Sequence, residues 1–208
     1  MQIGILLFDG VELLDFAGPM QVLSSAAYVD EQLIESIKTI GLTREISVSK
    51  TTLKIKVDEL LHNVENLDLL VIPGGFGTRE IVKNEGYLNA LSPLVEQSKV
   101  VASVCTGSLV LAKLGVLGGL KATTHFAAVD LMAKLDPTIT IDRSKRYYDN
   151  GKYVIAEGVS AGIDMSFHLL ERLFSQEVSD QVRKYIEYYP EKEGEEACFA
   201  LLNRKLLV

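Results

Sequence analysis

Cys105 ends a run of six strand-like residues, KVVASV, and a helix-like pattern, TGSLVLAKLG, begins at once after it. A buried strand feeding straight into a helix forces the junction residue into a sharp bend, lifting its side chain above the sheet and over the helix N-terminus. Unpaired N–H groups and the positive end of the helix dipole favour an anion there, so the thiol's pKa is expected to fall and the thiolate to be reachable. Free cysteine otherwise commonly behaves as a small buried hydrophobe. Here the neighbours favour chemistry: Gly107 permits close helix packing, and Thr106 and Ser108 are polar residues in the first turn. Cys105 is the nucleophile candidate. Cys198, in EEACFALLNRKLL, shares helical spacing with Leu201, Leu202 and Lys205 and reads as core or interface packing.

Three further segments sit where strands end. In FDGVELLDFAGP, Asp15 is flanked by Val11, Leu13, Leu14 and Phe16. A helix is expected to start at Pro19, which leaves Asp15 too far upstream to cap it. A carboxyl in apolar company has a raised pKa, which suits proton transfer near neutral pH, so Asp15 is the general acid/base candidate. Pro73-Gly74-Gly75-Phe76-Gly77 closes the apolar run LDLLVI. It lacks the third glycine of a dinucleotide fingerprint, and a plain tight turn is its ordinary use. Its chemical use would be through Gly74 and Gly75, with the N–H groups of Gly75 and Thr106 aimed at a developing oxyanion beside the sulfur. His125, at the end of KATTH, can orient a thiolate or bind substrate, although a lone histidine is more often structural. No His, Cys and carboxylate set has metal-ligand spacing, and no Walker-type phosphate loop is present.

Placing these residues together needs a parallel sheet. Gln2 to Phe8 and Leu67 to Ile72 are continuous apolar runs, as in strands covered on both faces. Further strands are expected at 34–42, 45–57 with a hairpin break near 50–52, 99–104, 121–124, 138–141, 145–148 and 153–156, with Asn150-Gly151 turning the last pair. Helices are expected from Pro19, then at 78–83, 87–97, after Cys105, and at 127–135, 160–174 and 176–189. Strands alternating with helices imply a doubly wound α/β fold, mostly parallel, whose ligand site lies beyond the carboxyl ends of the strands.

With 208 residues, 48% hydrophobic, the chain is expected to be a single domain, 1–208, in which 190–208 is a C-terminal extension. A net charge of -7 with scattered Lys and Arg argues against a nucleic-acid partner or an anionic membrane surface. No apolar run reaches membrane-spanning length and no signal peptide is evident, so the cytoplasm is expected, which also suits a working thiol.

QIGILLFDGVELLDFAGP, LDLLVIPGG, SVCTGSLVLAKLGVLGG, KATTHF and GVSAGIDM, in that order, resemble the ThiJ/PfpI family of the class I glutamine amidotransferase-like superfamily, from Met1 to about Tyr189. Within it the pattern looks most like the isonitrile hydratase branch, through Asp15 with Gly18-Pro19 and through Cys105-Thr106-Gly107-Ser108. The resemblance implies a flavodoxin-like fold with a nucleophile elbow, a homodimer acting on a small molecule, no cofactor, Cys105 as nucleophile, Asp15 as acid/base and Thr106 as a required neighbour. Sister branches differ. The intracellular proteases carry His where Thr106 stands, the deglycase-like proteins carry Glu where Asp15 stands, and true amidotransferases need a late His-x-Glu pair. Family regulators that bind DNA need a helical extension, and only nineteen residues follow Tyr189. The expected activity is hydration of an isonitrile to an N-substituted formamide. The alternatives are a glyoxalase- or deglycase-like enzyme, an amidase or protease, and a redox sensor or stress-protective protein without turnover.

Overall fold

Strands without polar alternation must be covered on both faces, and the most apolar runs of this chain are the central strands of its sheet. In the computed structural model, which describes residues 1–189, the chain runs β1 (Gln2–Leu6), α1 (Leu13–Val29), β2 (Ser36–Gly41), β3 (Glu45–Ser47), β4 (Lys54–Lys56), β5 (Glu59–Leu60) and β6 (Leu69–Ile72). It continues with α2 (Thr78–Ile81), α3 (Glu85–Gln97), β7 (Val100–Val104), α4 (Gly107–Lys113), β8 (Lys121–Ala122) and α5 (Val129–Leu135). The last elements are β9 (Thr140–Ile141), β10 (Tyr147–Asn150), β11 (Tyr153–Ala156), α6 (Ala161–Leu173) and α7 (Gln176–Tyr185).

The main sheet has the order β10-β11-β7-β6-β1-β2-β5. All its pairings are parallel except β10 with β11. The inner strands β2-β1-β6-β7-β11 reproduce the flavodoxin-like strand order. From β1 the chain moves outward through β2, and from β6 it moves the other way, so the order reverses between β1 and β6. That switch point opens a crevice at the carboxyl ends of the strands. Right-handed crossovers in opposite directions put helices on opposite faces; α1 packs with α6 and α7, and α4 packs with α5 and α2. The doubly wound, mostly parallel fold is as expected from the strand and helix alternation.

The expected break at 50–52 is the turn of an antiparallel β3–β4 hairpin outside the main sheet. The edge strand β5, two residues long, is too short to carry a periodicity in the sequence. The start of α1 differs too. Glu12 is extended and the helix begins at Leu13, so Asp15 lies in its first turn and Pro19 in its interior. Phe16, Pro19, Val22, Leu23 and Ala26 form a buried stripe at helical spacing. Burial of that stripe overrides the preference of proline for the first helical position. The last expected helix, with Cys198, lies outside the described residues.

Candidate active site

Four loops at the carboxyl ends of β1, β6, β7 and β11 meet around Cys105. This residue occupies the bend between β7 and α4 with φ +57, a left-handed backbone that costs a residue with a Cβ and persists only when its surroundings impose it. The surroundings do so: its N–H donates to the Ala156 carbonyl at 3.2 Å. Its carbonyl accepts from the Thr124 hydroxyl at 3.1 Å and the Ser108 hydroxyl at 3.0 Å. Gly107 brings α4 against β6, since a Cβ there would lie 2.1 Å from the Ile72 carbonyl oxygen. The sulfur accepts the backbone N–H groups of Thr106 and Val159.

Asp15 is 0% exposed. Its Oδ2 accepts the Gly74 N–H at 2.9 Å, and Oδ1 is buried without a hydrogen-bond partner. The carboxyl and the Cys105 thiol interact electrostatically, each shifting the other's proton affinity. Burial pushes the carboxyl up to about 7, against the opposing pull of the Gly74 N–H and the thiol. Gly74 makes this approach possible, because a Cβ there would lie 2.5 Å from the Thr106 nitrogen and 2.8 Å from Asp15 Oδ2.

The thiol departs from expectation. Cys105 as a residue is 5% exposed, and burial, followed by the charge of Asp15, pushes its thiol up to about 12 although the two N–H donors pull it down. Desolvation outweighs the end of a helix only seven residues long. A lone thiolate is therefore costly at this position, and the exposed low-pKa thiol inferred from the helix start is not what the fold builds. The pair behaves differently from the thiol alone. With one proton between sulfur and carboxyl, moving it from S to O leaves the net charge unchanged, and the Thr106 and Val159 N–H groups face the sulfur as it becomes anionic.

Gly75 also departs from expectation. Its N–H donates to Thr106 Oγ1 at 2.9 Å, and the Thr106 hydroxyl returns a bond to the Gly75 carbonyl at 3.1 Å. Thr78 Oγ1 completes the buried cluster, 2.8 Å from the Gly75 carbonyl and 3.0 Å from Thr106 Oγ1. Gly75 thus fixes Thr106, and its N–H is not free for an oxyanion. The Thr106 N–H faces the sulfur directly.

His125 is half-buried, its Nδ1 accepting the Ala127 N–H at 3.3 Å and its ring lying against Phe126 at 4.4 Å between centroids. It lines an open cleft of about 310 Å³ with Phe126, Arg143, Glu157, Gly158, Val159 and Ser160. The structure therefore brings Asp15, Gly74, Gly75, Cys105 and Thr106 together, and sets His125 apart from them in an adjoining cleft that shares only Val159 with the sulfur's surroundings. Val159, Thr78 and Thr124 escaped sequence reasoning. Val159 follows β11, the parallel neighbour of β7, so the strand order was the signal that points to it. A φ of +26 at this β-branched residue shows how tightly its loop is held.

Isonitrile hydratase from Pseudomonas putida is 35% identical to this chain over 190 residues, covering 91% of the chain and 79% of that protein. A helix-turn-helix-type transcriptional regulator from Pseudomonas aeruginosa is 25% identical over 186 residues, or 89% of the chain, which spans only 50% of that regulator. The crystal structure of a ThiJ/PfpI family protein from Pseudomonas syringae has a TM-score of 0.81 at 25% identity, over 93% of this chain and 77% of that one. No helix among the described residues is long and apolar enough to cross a membrane. With residues 1–172 matched by the model of the DJ-1/PfpI family, the chain belongs to that family.

Proposed function

We propose that this chain hydrates an isonitrile to an N-substituted formamide, with Cys105 as nucleophile and Asp15 as general acid and base. One observation carries the reading: a fully buried carboxyl poised at about 7 stands against a thiol held at a strained strand–helix junction. The likeness to an isonitrile hydratase over 91% of the chain supports it.

Isonitrile carbon is both an electrophile and a proton acceptor, which matches a pair that holds one proton between two atoms. The thiol proton passes to Asp15. The sulfur then bonds to the terminal carbon while Asp15 delivers its proton to the same carbon, giving a thioimidate, R–N=CH–S–Cys105, and an Asp15 carboxylate. That carboxylate takes a proton from water as the oxygen adds to the carbon, and passes it to nitrogen. Collapse of R–NH–CH(OH)–S–Cys105 forms the formamide carbonyl, expels the thiolate and returns the hydroxyl proton to the pair. Overall, one water is added and nothing is oxidised or reduced. Thr106 and Val159 N–H groups hold the sulfur each time it carries charge.

A redox sensor needs an exposed thiol of low pKa, and a buried Cys105 whose thiol is pushed up to about 12 favours the enzymatic reading. The test is direct: purified protein mixed with methyl isonitrile should yield N-methylformamide by NMR, and Cys105→Ala should yield none. Wild type and Cys105→Ala equally inert would remove the proposal.

A further inference from the structure

The cleft beside the thiol is built for one kind of substituent. Val159 joins the two places, since its N–H meets the Cys105 sulfur and the residue also lines the cleft. A linear R–N≡C group attacked at its terminal carbon carries R straight away from the sulfur. Cys105 itself does not line that cleft, and Val159 is what the two share, so an R group that passes Val159 enters the cleft along Gly158 and Ser160.

Charges in that cleft are already matched. Arg143 is paired with Glu157, and the Ser160 hydroxyl accepts from Arg146 at 2.9 Å. His125 Nδ1 is occupied by the Ala127 N–H. A charged substituent therefore meets no free counter-charge here and would lose hydration without replacement. The uncommitted surface is aromatic. Phe126 is 66% exposed, with its ring tilted 36° against that of His125. One side of the Phe126 ring is thus held by a neighbour while most of the residue faces water at the cleft. Ring pairs prefer offset or tilted geometries, and the free part of Phe126 can pair with a substrate ring in that way. The volume, about 310 Å³, is at the small end of ligand sites.

We infer that the substrate carries a neutral, flat aromatic group of single-ring size on nitrogen, held against Phe126 in the cleft between His125 and Gly158–Ser160. The inference rests on the isonitrile reading for what is turned over, and on the cleft alone for what is bound. Phe126 is the specificity-determining residue.

Two arms separate these layers. In the first, kcat/KM is compared for benzyl isonitrile and methyl isonitrile. Wild type should favour the benzyl compound roughly tenfold or more, the scale of ring packing with its buried area. Phe126→Ala should bring that ratio to about one, and Phe126→Leu should restore part of it. A wild-type ratio near one, or a ratio that survives Phe126→Ala, overturns the inference even if both isonitriles are hydrated. In the second arm, N-benzylformamide is titrated into Cys105→Ala while the His125 and Phe126 ring resonances are followed by NMR. Shifts with N-benzylformamide and none with N-methylformamide at equal concentration uphold the cleft, whether or not wild type turns over any isonitrile. Silence from both formamides, or equal response to both, sinks it.

Discussion

Two aspartates in this molecule sit in clusters with a second reactive side chain, and their environments drive them in opposite directions. Asp15, at the carboxyl end of the sheet beside Cys105, is wholly buried, accepts one backbone N–H and is pushed up to about 7. Asp149, on β10 at the sheet edge, is also raised by burial. Bonds from His168 at 2.7 Å and Arg172 at 2.8 Å, with the Gly151 N–H, outweigh that and hold its pKa below the ordinary value. Tyr147 stacks on His168 at 4.9 Å and completes a cross-link between β10 and α6. An acid with enough partners becomes structure. An acid left one oxygen short keeps a proton in play near neutral pH, which is what acid–base chemistry requires.

Breaking each cluster should therefore give different losses. Cys105→Ala is expected to abolish formamide production in the NMR assay while the protein keeps its fold. Asp15→Asn should cut kcat/KM by roughly 10²–10⁴-fold, the usual scale for a lost general acid and base. In wild type, kcat/KM should rise with pH through a midpoint of about 7, as the doubly protonated pair loses its first proton, and Asp15→Asn should lack that limb. Asp149→Asn should leave both the rate and the limb in place.

Stability should move the other way. Asp15 binds its proton more tightly folded than unfolded, so its contribution to stability is full at acid pH and declines as pH rises from about 4 to about 7. Asp15→Asn, which keeps an oxygen for the Gly74 N–H, should stabilise the protein by roughly 4 kcal/mol at pH 8 and by little at pH 4, read by urea denaturation. For Asp149 the folded pKa is lowered, so its contribution is present above the unfolded value and fades as pH falls below it. Asp149→Asn should cost about 2 kcal/mol at pH 7, with the deficit shrinking on acidification. The smallest expected change is at the edge of the active pair. Thr106→Val, which cannot hold the Gly75 N–H or its carbonyl, should lower kcat/KM roughly tenfold, and Thr106→Ser should recover most of it.

Much of this contrast is legible in the sequence. An apolar strand running into CTGS placed Cys105 at a bend, and the apolar neighbours of Asp15 signalled desolvation. Both are local patterns, and β1, β6 and β7 are apolar enough to identify themselves as central strands. What escaped depends on distant packing. The helix start suggested a depressed thiol pKa, but the burial that raises it comes from loops after β1, β6 and β11. Gly75 looked free because the Thr106 hydroxyl that takes its N–H is thirty-one residues away. Pro19 looked like a first helical residue because the stripe that extends α1 to Leu13 is buried by α6 and α7. Helical spacing over 160–174 places His168 on a helix, and its pairing with Asp149 depends on how β10 packs on α6.

Proton sharing between Asp15 and Cys105 is the claim on which the chemistry stands, and the carboxyl carbon of Asp15 reports on it directly. In protein labelled with ¹³C at aspartate Cγ, the Asp15 resonance should titrate with a midpoint of about 7 while Asp149 titrates below the ordinary range. An Asp15 midpoint near the ordinary carboxylate value of about 3.9 would contradict the account.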